Sequence, residues 1–180
     1  MALASVVIRG REFAYEPVGP YIFQSGKKKG HSVESLMFAD YGFLSYLKSM
    51  SDKGLTAGSM PNKLHLHLAW AMRAGEFLQS RQRCPYCSGD GEAERVKYFS
   101  VRYSQGDCSY GFSYTCCDKD ACKYQLVEER SRIFPLKFSS LAYFSRAEQK
   151  RLGVFFKGLL LDSGRLDSQK AFKLFSASQL

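Results

Sequence analysis

The sequence predicts an α+β protein in three parts: a small β/α N-terminal module over 1–83, a central β-hairpin module over 84–130 and a helical basic segment over 131–180. Three observations predict it. The chain opens with short apolar stretches broken by glycine and proline. Its middle sets two alternating stretches between pairs of cysteines. Its last part carries helix-capping signals followed by apolar residues at helical spacing.

Taken in order, Ala4–Ile8 and Tyr21–Phe23 read as strands, with Gly10, Pro17, Gly19 and Pro20 as breaks. A basic loop follows, Gly26-Lys27-Lys28-Lys29-Gly30, and Ser32 or Ser35 caps a short helical piece through Leu36 and Met37. A second helix covers Tyr41 to Met50 with Phe43, Leu44 and Leu47 inward. After a loop over 54–58, Ser59 and Pro61 signal a helix start. The stripe Leu64, Leu68, Ala71, Met72, Gly75, Leu78 extends that helix to Gln82. Arg95 to Tyr103 and Tyr110 to Cys116 alternate as strands, the first through Val96, Tyr98 or its neighbour Phe99, Val101 and Tyr103. Phe134 to Phe144 is apolar and partly extended. Ser145-Arg-Ala-Glu148 is a capping box, in which hydroxyl and carboxylate satisfy each other's free backbone N–H groups. The helix it opens turns Leu152, Phe155, Phe156, Leu159 and Leu160 inward and stops at Ser163-Gly164. Asp167 starts a last helix with Ala171, Phe172 and Phe175.

The 180 residues, 45% of them hydrophobic, suffice for a real core. No run approaches the roughly 18 apolar residues that span a bilayer. Met1–Ile8 lacks a basic leader region and reads as a strand, so the expectation is a cytoplasmic protein whose six cysteines are thiols or metal ligands. The net charge of +9 favours a polyanionic partner, nucleic acid first. That charge is uneven. Residues 1–83 hold 11 Lys/Arg against 6 Asp/Glu, residues 84–130 hold 6 against 8, and residues 131–180 hold 9 against 3.

Cys84-Pro-Tyr-Cys87 sets two thiolates at a tight turn, as a zinc knuckle does. Cys122 and one of the adjacent pair Cys116/Cys117 supply the other two. The reading favours Cys117, which leaves a C-x4-C loop and puts Cys116 in a small core. Two such turns joined by a β-hairpin make a zinc ribbon. Four cysteines close the coordination sphere, so the zinc is structural. A redox-active Cys84/Cys87 pair fits poorly, because Ser88-Gly-Asp-Gly91 follows where a helix is needed. Cys108 reads as a lone thiol at the hairpin end. With Tyr114-Thr-Cys116-Cys117 and Cys122-Lys-Tyr124, the segment resembles the zinc ribbons of bacterial type I topoisomerases and of phage late-gene activators. That resemblance implies nucleic-acid machinery or protein docking.

Phe23-Gln-Ser-Gly26-Lys27-Lys28-Lys29-Gly30, then Asp40-Tyr41-Gly42-Phe43-Leu44-Ser45-Tyr46-Leu47, resembles the C-terminal accessory domain of exodeoxyribonuclease X. Gly26, Lys27, Lys29 and Gly30 match. The phenylalanine lies two residues early, and Tyr46 stands where tryptophan is usual. The resemblance implies a non-catalytic module that holds nucleic acid. The residues themselves agree, since glycines admit a phosphate to the backbone and lysines supply charge. The same loop also reads as a solvated turn.

Lys150 and Lys157, seven apart, share a helix face beside Arg146 and Arg151, which reads either as a solvated face or as a phosphate-tracking one. His31 is placed to touch phosphate, whereas His65 and His67 are expected at the surface or half-buried, about 200° apart on a helix and so a poor metal pair. No clustered carboxylates, nucleophile elbow or dinucleotide fingerprint occurs. The expectation is a non-enzymatic, zinc-containing accessory protein or subunit that binds nucleic acid through Lys27, Lys28, Lys29, Lys150 and Lys157. A protein-docking subunit of a ribonucleoprotein, such as the large-subunit counterpart of a type IV CRISPR effector, is the alternative.

Overall fold

The computed structural model describes residues 4–53, 62–87, 93–103, 110–127, 131–161 and 166–178, leaving aside the side chains of 4, 102, 103, 110–113 and 131. Within them the fold is α+β, helices around two small antiparallel sheets. Ser59, Pro61, Ser88–Gly91, Cys108 and Ser163-Gly164 lie outside the described residues.

β1 (Ala4–Ile8) pairs with β2 (Arg11–Tyr15), a strand the sequence reading omits. Arg9 and Gly10 join them with φ of 54° and 72°, the left-handed pair that suits a two-residue hairpin. Val6 and Ile8 point into the core while Val7 faces out. The expected strand Tyr21–Phe23 is reduced to one bridge, Ile22 against Ser32, flanked by Val33 N–H to Tyr21 O and Phe23 N–H to His31 O, both 3.0 Å. These bonds close the neck of the basic loop. Inside it Gly26–Lys28 form a 3-10 turn, and Gly26 and Gly30 hold φ of 73° and 82°.

α1 (Val33–Ala39) starts at a Ser32/Ser35 capping box and α2 (Tyr41–Asp52) follows after Asp40. Leu44 of α2 is buried, with Phe43 and Leu47 partly so. α3 (Lys63–Gly75) is capped by the Asn62 side chain, which accepts from His65 N–H at 3.0 Å. It ends well before Gln82. Gly75 is the last helical residue, and a Cβ there would lie 3.0 Å from both Met37 Cε and Phe138 Cδ2. Beyond it Glu76 turns to bind Ser139, and Ser80 Oγ and Arg81 N–H both donate to Leu159 O. These tertiary bonds outcompete helix continuation, although Leu78 is still buried.

His65 and His67 are both buried, contrary to the surface placement the sequence suggests. The reason is that α3 is packed against β1 and β2 and against α1, α2 and α6. Only positions such as Lys63 and Arg73 stay exposed on this helix, and neither histidine is among them.

β3 (Tyr98–Tyr103) lies between β4 (Tyr110–Cys116) and β5 (Ser131–Pro135), all antiparallel. β3 and β4 fall within the two stretches expected to be strands; β5 comes from the part expected to be mainly helical, overlapping the partly extended stretch only at Phe134 and Pro135. Phe99 is the inward residue and Tyr98 the half-buried one, with a bulge between Phe99 and Val101. α4 (Asp120–Tyr124) is a short turn after β4. A 3-10 turn over Phe138–Tyr143 leads to α5 (Arg146–Leu160), which opens on the Ser145/Glu148 box as expected, and α6 (Ser168–Ala177) is capped by Asp167. Leu152, Phe156, Leu159 and Leu160 are buried and Phe155 partly so. The main core takes residues from β1, α1–α3, β3, α5 and α6, so it crosses the expected boundaries at 83/84 and 130/131. A second, smaller core surrounds the cysteines.

Candidate metal centre

The first cysteine pair hangs from a short ladder ahead of β3. Cys84 N–H donates to Glu94 O at 2.7 Å and Val96 N–H to Gln82 O at 3.0 Å, so residues 82–84 run beside 94–96. Pro85 turns the chain so that Cys87 folds back beneath. The second pair begins where β4 ends. Cys116 sits opposite Tyr98 in the sheet. Cys116 is the last residue of β4 and Cys117 the first beyond it, where the chain turns toward α4. α4 then lifts Cys122 toward Cys117, with Cys122 N–H donating to Lys119 O at 3.0 Å.

The result is a cluster. The sulfurs of Cys84, Cys87, Cys117 and Cys122 all lie within 4.8 Å of one another and can hold a metal ion. Cys87 Sγ is 3.4 Å from Cys117 Sγ and 3.7 Å from Cys122 Sγ. A tetrahedron with metal–sulfur bonds of ~2.3 Å needs sulfurs ~3.8 Å apart, so the four are close to a coordination sphere. Cys116 is not among them. It is fully buried with Leu126 in the small core, and burial pushes its thiol up to about 11.

Backbone N–H groups already serve the sulfurs. Glu94 N–H holds the Cys87 thiol below its ordinary value. Burial raises Cys117, partly offset by Lys119 N–H. Burial, with the neighbouring thiols, raises Cys122. Bonds of this kind orient ligands and stabilise thiolates. Around the cluster the lysines are neutralised locally: Lys97 meets Asp118 at 2.6 Å, Lys119 meets Glu94 at 3.7 Å and Lys123 meets Asp120 at 3.4 Å.

The expected phosphate-binding lysines divide. Lys27, Lys29 and Lys150 are exposed and Lys157 half-buried, and among the described residues none of them is paired with a carboxylate. Lys28 is different. Its Nζ lies 2.5 Å from Asp40 Oδ2, and Asp40 is only 4% exposed. Arg146 of α5 reaches the same oxygen at 3.1 Å. Burial would raise the Asp40 carboxyl, but hydrogen bonds from Lys28 and Arg146 outweigh it and hold it below the usual carboxylate range. Lys28 therefore ties the basic loop to the body of the protein, and only its neighbours point free. His31, beside the loop, is exposed.

One arrangement has no signal in the sequence. Glu34 and His67 are completely buried, with His67 Nε2 2.7 Å from Glu34 Oε1. Tyr15 OH lies 2.8 Å from His67 Nδ1. Both imidazole nitrogens are thus engaged, Nδ1 by the Tyr15 hydroxyl and Nε2 by the Glu34 carboxyl. Burial, then the Glu34 charge, pushes the Tyr15 hydroxyl up to about 12. Trp70 packs on the imidazole, centroids 5.0 Å apart. The three residues are separated widely in sequence, so only the fold reveals the set.

No helix among the described residues is long and apolar enough to cross a membrane. No family model matches the chain, and the curated proteins and solved structures compared with it include no significant match.

Proposed function

We propose that the chain is a non-enzymatic nucleic-acid-binding protein, an accessory protein or subunit of a larger nucleic-acid-processing complex, in which zinc is a structural staple. The observation that carries the proposal is the meeting of two basic elements at Asp40: the Gly26–Gly30 loop arrives through Lys28 and α5 through Arg146. Their remaining cations, Lys27, Lys29, Lys150 and Lys157, are left to a polyanion. Lys28 and Arg146 position this surface.

Four thiolates suit zinc among the metals of protein sites and leave no ligand position for a reacting water. The metal module carries 6 Lys/Arg against 8 Asp/Glu, so it repels phosphate overall and serves to brace the β3–β4–β5 sheet. The resemblances to the exodeoxyribonuclease X accessory domain and to topoisomerase ribbons support the same reading.

Filter binding of labelled oligonucleotides over a salt series tests it. Affinity falls steeply with salt, and substitution of Lys27, Lys29, Lys150 and Lys157 together by alanine flattens the log–log slope by roughly 3. An unchanged slope overturns the assignment. A docking role for the metal module, as in a ribonucleoprotein subunit, is favoured by Tyr124 and Val127, both largely exposed beside Cys122. Stable co-purification with a protein partner, lost on Tyr124→Ser, distinguishes it.

A further inference from the structure

Tyr46 is 60% exposed on α2, a helix that buries Tyr41 and Leu44 in the core. Its neighbours on the helix define where it stands. Phe43, three residues back, lies under the basic loop: Lys28 Nζ is 5.5 Å from its ring centroid, and Phe23 packs on it at 5.8 Å. Gly42, four residues back, faces α5, where an added Cβ would lie 2.7 Å from Gln149 Oε1 and 4.0 Å from Arg146 Cγ.

On a helix, Tyr46 projects ~40° from Gly42 and ~60° from Phe43, in the sector between them. Helical side chains also lean toward the N-terminus, here toward the turn that holds Gly42 and Phe43. The ring thus lies in the sector between the residue under Lys28 of the basic loop and the residue facing Arg146 and Gln149 of α5; Lys27 and Lys29 adjoin Lys28 in the chain, and Lys150 is one turn beyond Arg146. Arg146 and Lys150 share a face because they are four residues apart.

We propose that this is a binding site for a single-stranded nucleic acid, with Tyr46 as the stacking platform for one base and Lys27, Lys29 and Lys150 contacting the phosphates on either side. The inference rests on the nucleic-acid reading above and adds the strandedness of the ligand. Paired flanking cations around an exposed ring are the two components that single-strand sites combine, whereas a duplex keeps its base faces stacked and offers this ring nothing. Stacking recognises any base, so the site has little sequence preference.

Fluorescence anisotropy with oligo(dT), oligo(rU) and a 20-base-pair duplex tests it, using the full chain with its metal. Wild type favours the single strands. Tyr46→Ala weakens single-strand binding roughly 5- to 150-fold, the equivalent of one lost base stack. It leaves duplex binding and the salt slope unchanged, because no phosphate contact is lost. Tyr46→Trp restores single-strand affinity, which a merely structural role for the ring does not predict. Lys27→Ala with Lys29→Ala lowers the salt slope with all ligands. If Tyr46→Ala binds the single strands as wild type does, or loses duplex affinity equally, the stacking site is wrong while the nucleic-acid reading stands. If wild type binds none of the three at low salt, both are wrong. The dT and rU arms separate DNA from RNA.

Discussion

Gly153 of α5 lies against the carbonyl of Phe38 at the end of α1, so closely that a Cβ at position 153 would fall 1.8 Å from that oxygen. The obstacle is backbone, which cannot rotate away as a side chain can. This contact sets how near α5 approaches α1, and hence brings Arg146 within reach of Asp40. Gly153→Ala is expected to destabilise the fold by about 3 kcal/mol, the upper end for overpacking, since relief here must move a helix. Gly158, on the same helix with nothing within 4 Å of an added Cβ, is the control. Gly158→Ala is expected to stabilise by about 0.5–1 kcal/mol through helix propensity. Urea midpoints of the two variants should move in opposite directions.

Asp40 makes acid sensitivity specific. Its folded pKa lies below the ordinary carboxylate value because Lys28 and Arg146 outweigh its burial. The stability this contributes is therefore present above about pH 4 and lost as pH falls through the lower folded value. Asp40→Asn is expected to cost about 1–3 kcal/mol at pH 7, mostly through Lys28, because Arg146 is 68% exposed. The difference from wild type should shrink as pH falls from about 5 to 2. His65 adds an earlier window of the opposite origin. Burial, then Arg9, lowers its pKa, so the neutral form is favoured in the fold and stability declines as pH falls below about 6.5. His65→Gln should remove that first decline and leave the second.

The buried Tyr15–His67–Glu34 set predicts unequal costs. Tyr15→Phe deletes the hydroxyl and leaves Nδ1 unpaired, which is expected to cost about 1–2 kcal/mol. His67→Ala opens a cavity beneath Trp70 and strips Glu34 of its partner while Glu34 Oε2 already lacks one, so at least about 3 kcal/mol is expected. Chemical unfolding of both variants checks the ranking. Costs below about 0.5 kcal/mol for each would contradict the hydrogen-bonded arrangement.

What the sequence made legible were features encoded locally. The Ser145/Glu148 box, the Asp167 cap and the β3–β4 alternation depend on neighbours a few residues apart, and the structure has all three. The C-x2-C turn and C-x4-C loop are also local, so four of the cysteines could be paired into a site. What stayed hidden depends on distant partners. α3 stops at Gly75 because Glu76 binds Ser139 and Ser80 and Arg81 bind Leu159 across the fold, while Met37 and Phe138 leave room only for a glycine there. β5 pairs with β3 across the intervening β4 and cysteine segment, and nothing in Ser131–Pro135 alone marks it as a third strand. Lys28 and its neighbours look alike in sequence, yet one of the three lysines faces Asp40 and two face outward.

The central claim is a four-cysteine zinc site that includes Cys117 and excludes Cys116. Metal analysis of protein purified without added metal, on wild type, Cys117→Ala and Cys116→Ala, tests it most directly. Wild type and Cys116→Ala are expected to hold one zinc per chain, and Cys117→Ala to lose it. Wild-type protein without zinc, or a Cys117→Ala variant that keeps its zinc while Cys116→Ala loses it, would contradict the account.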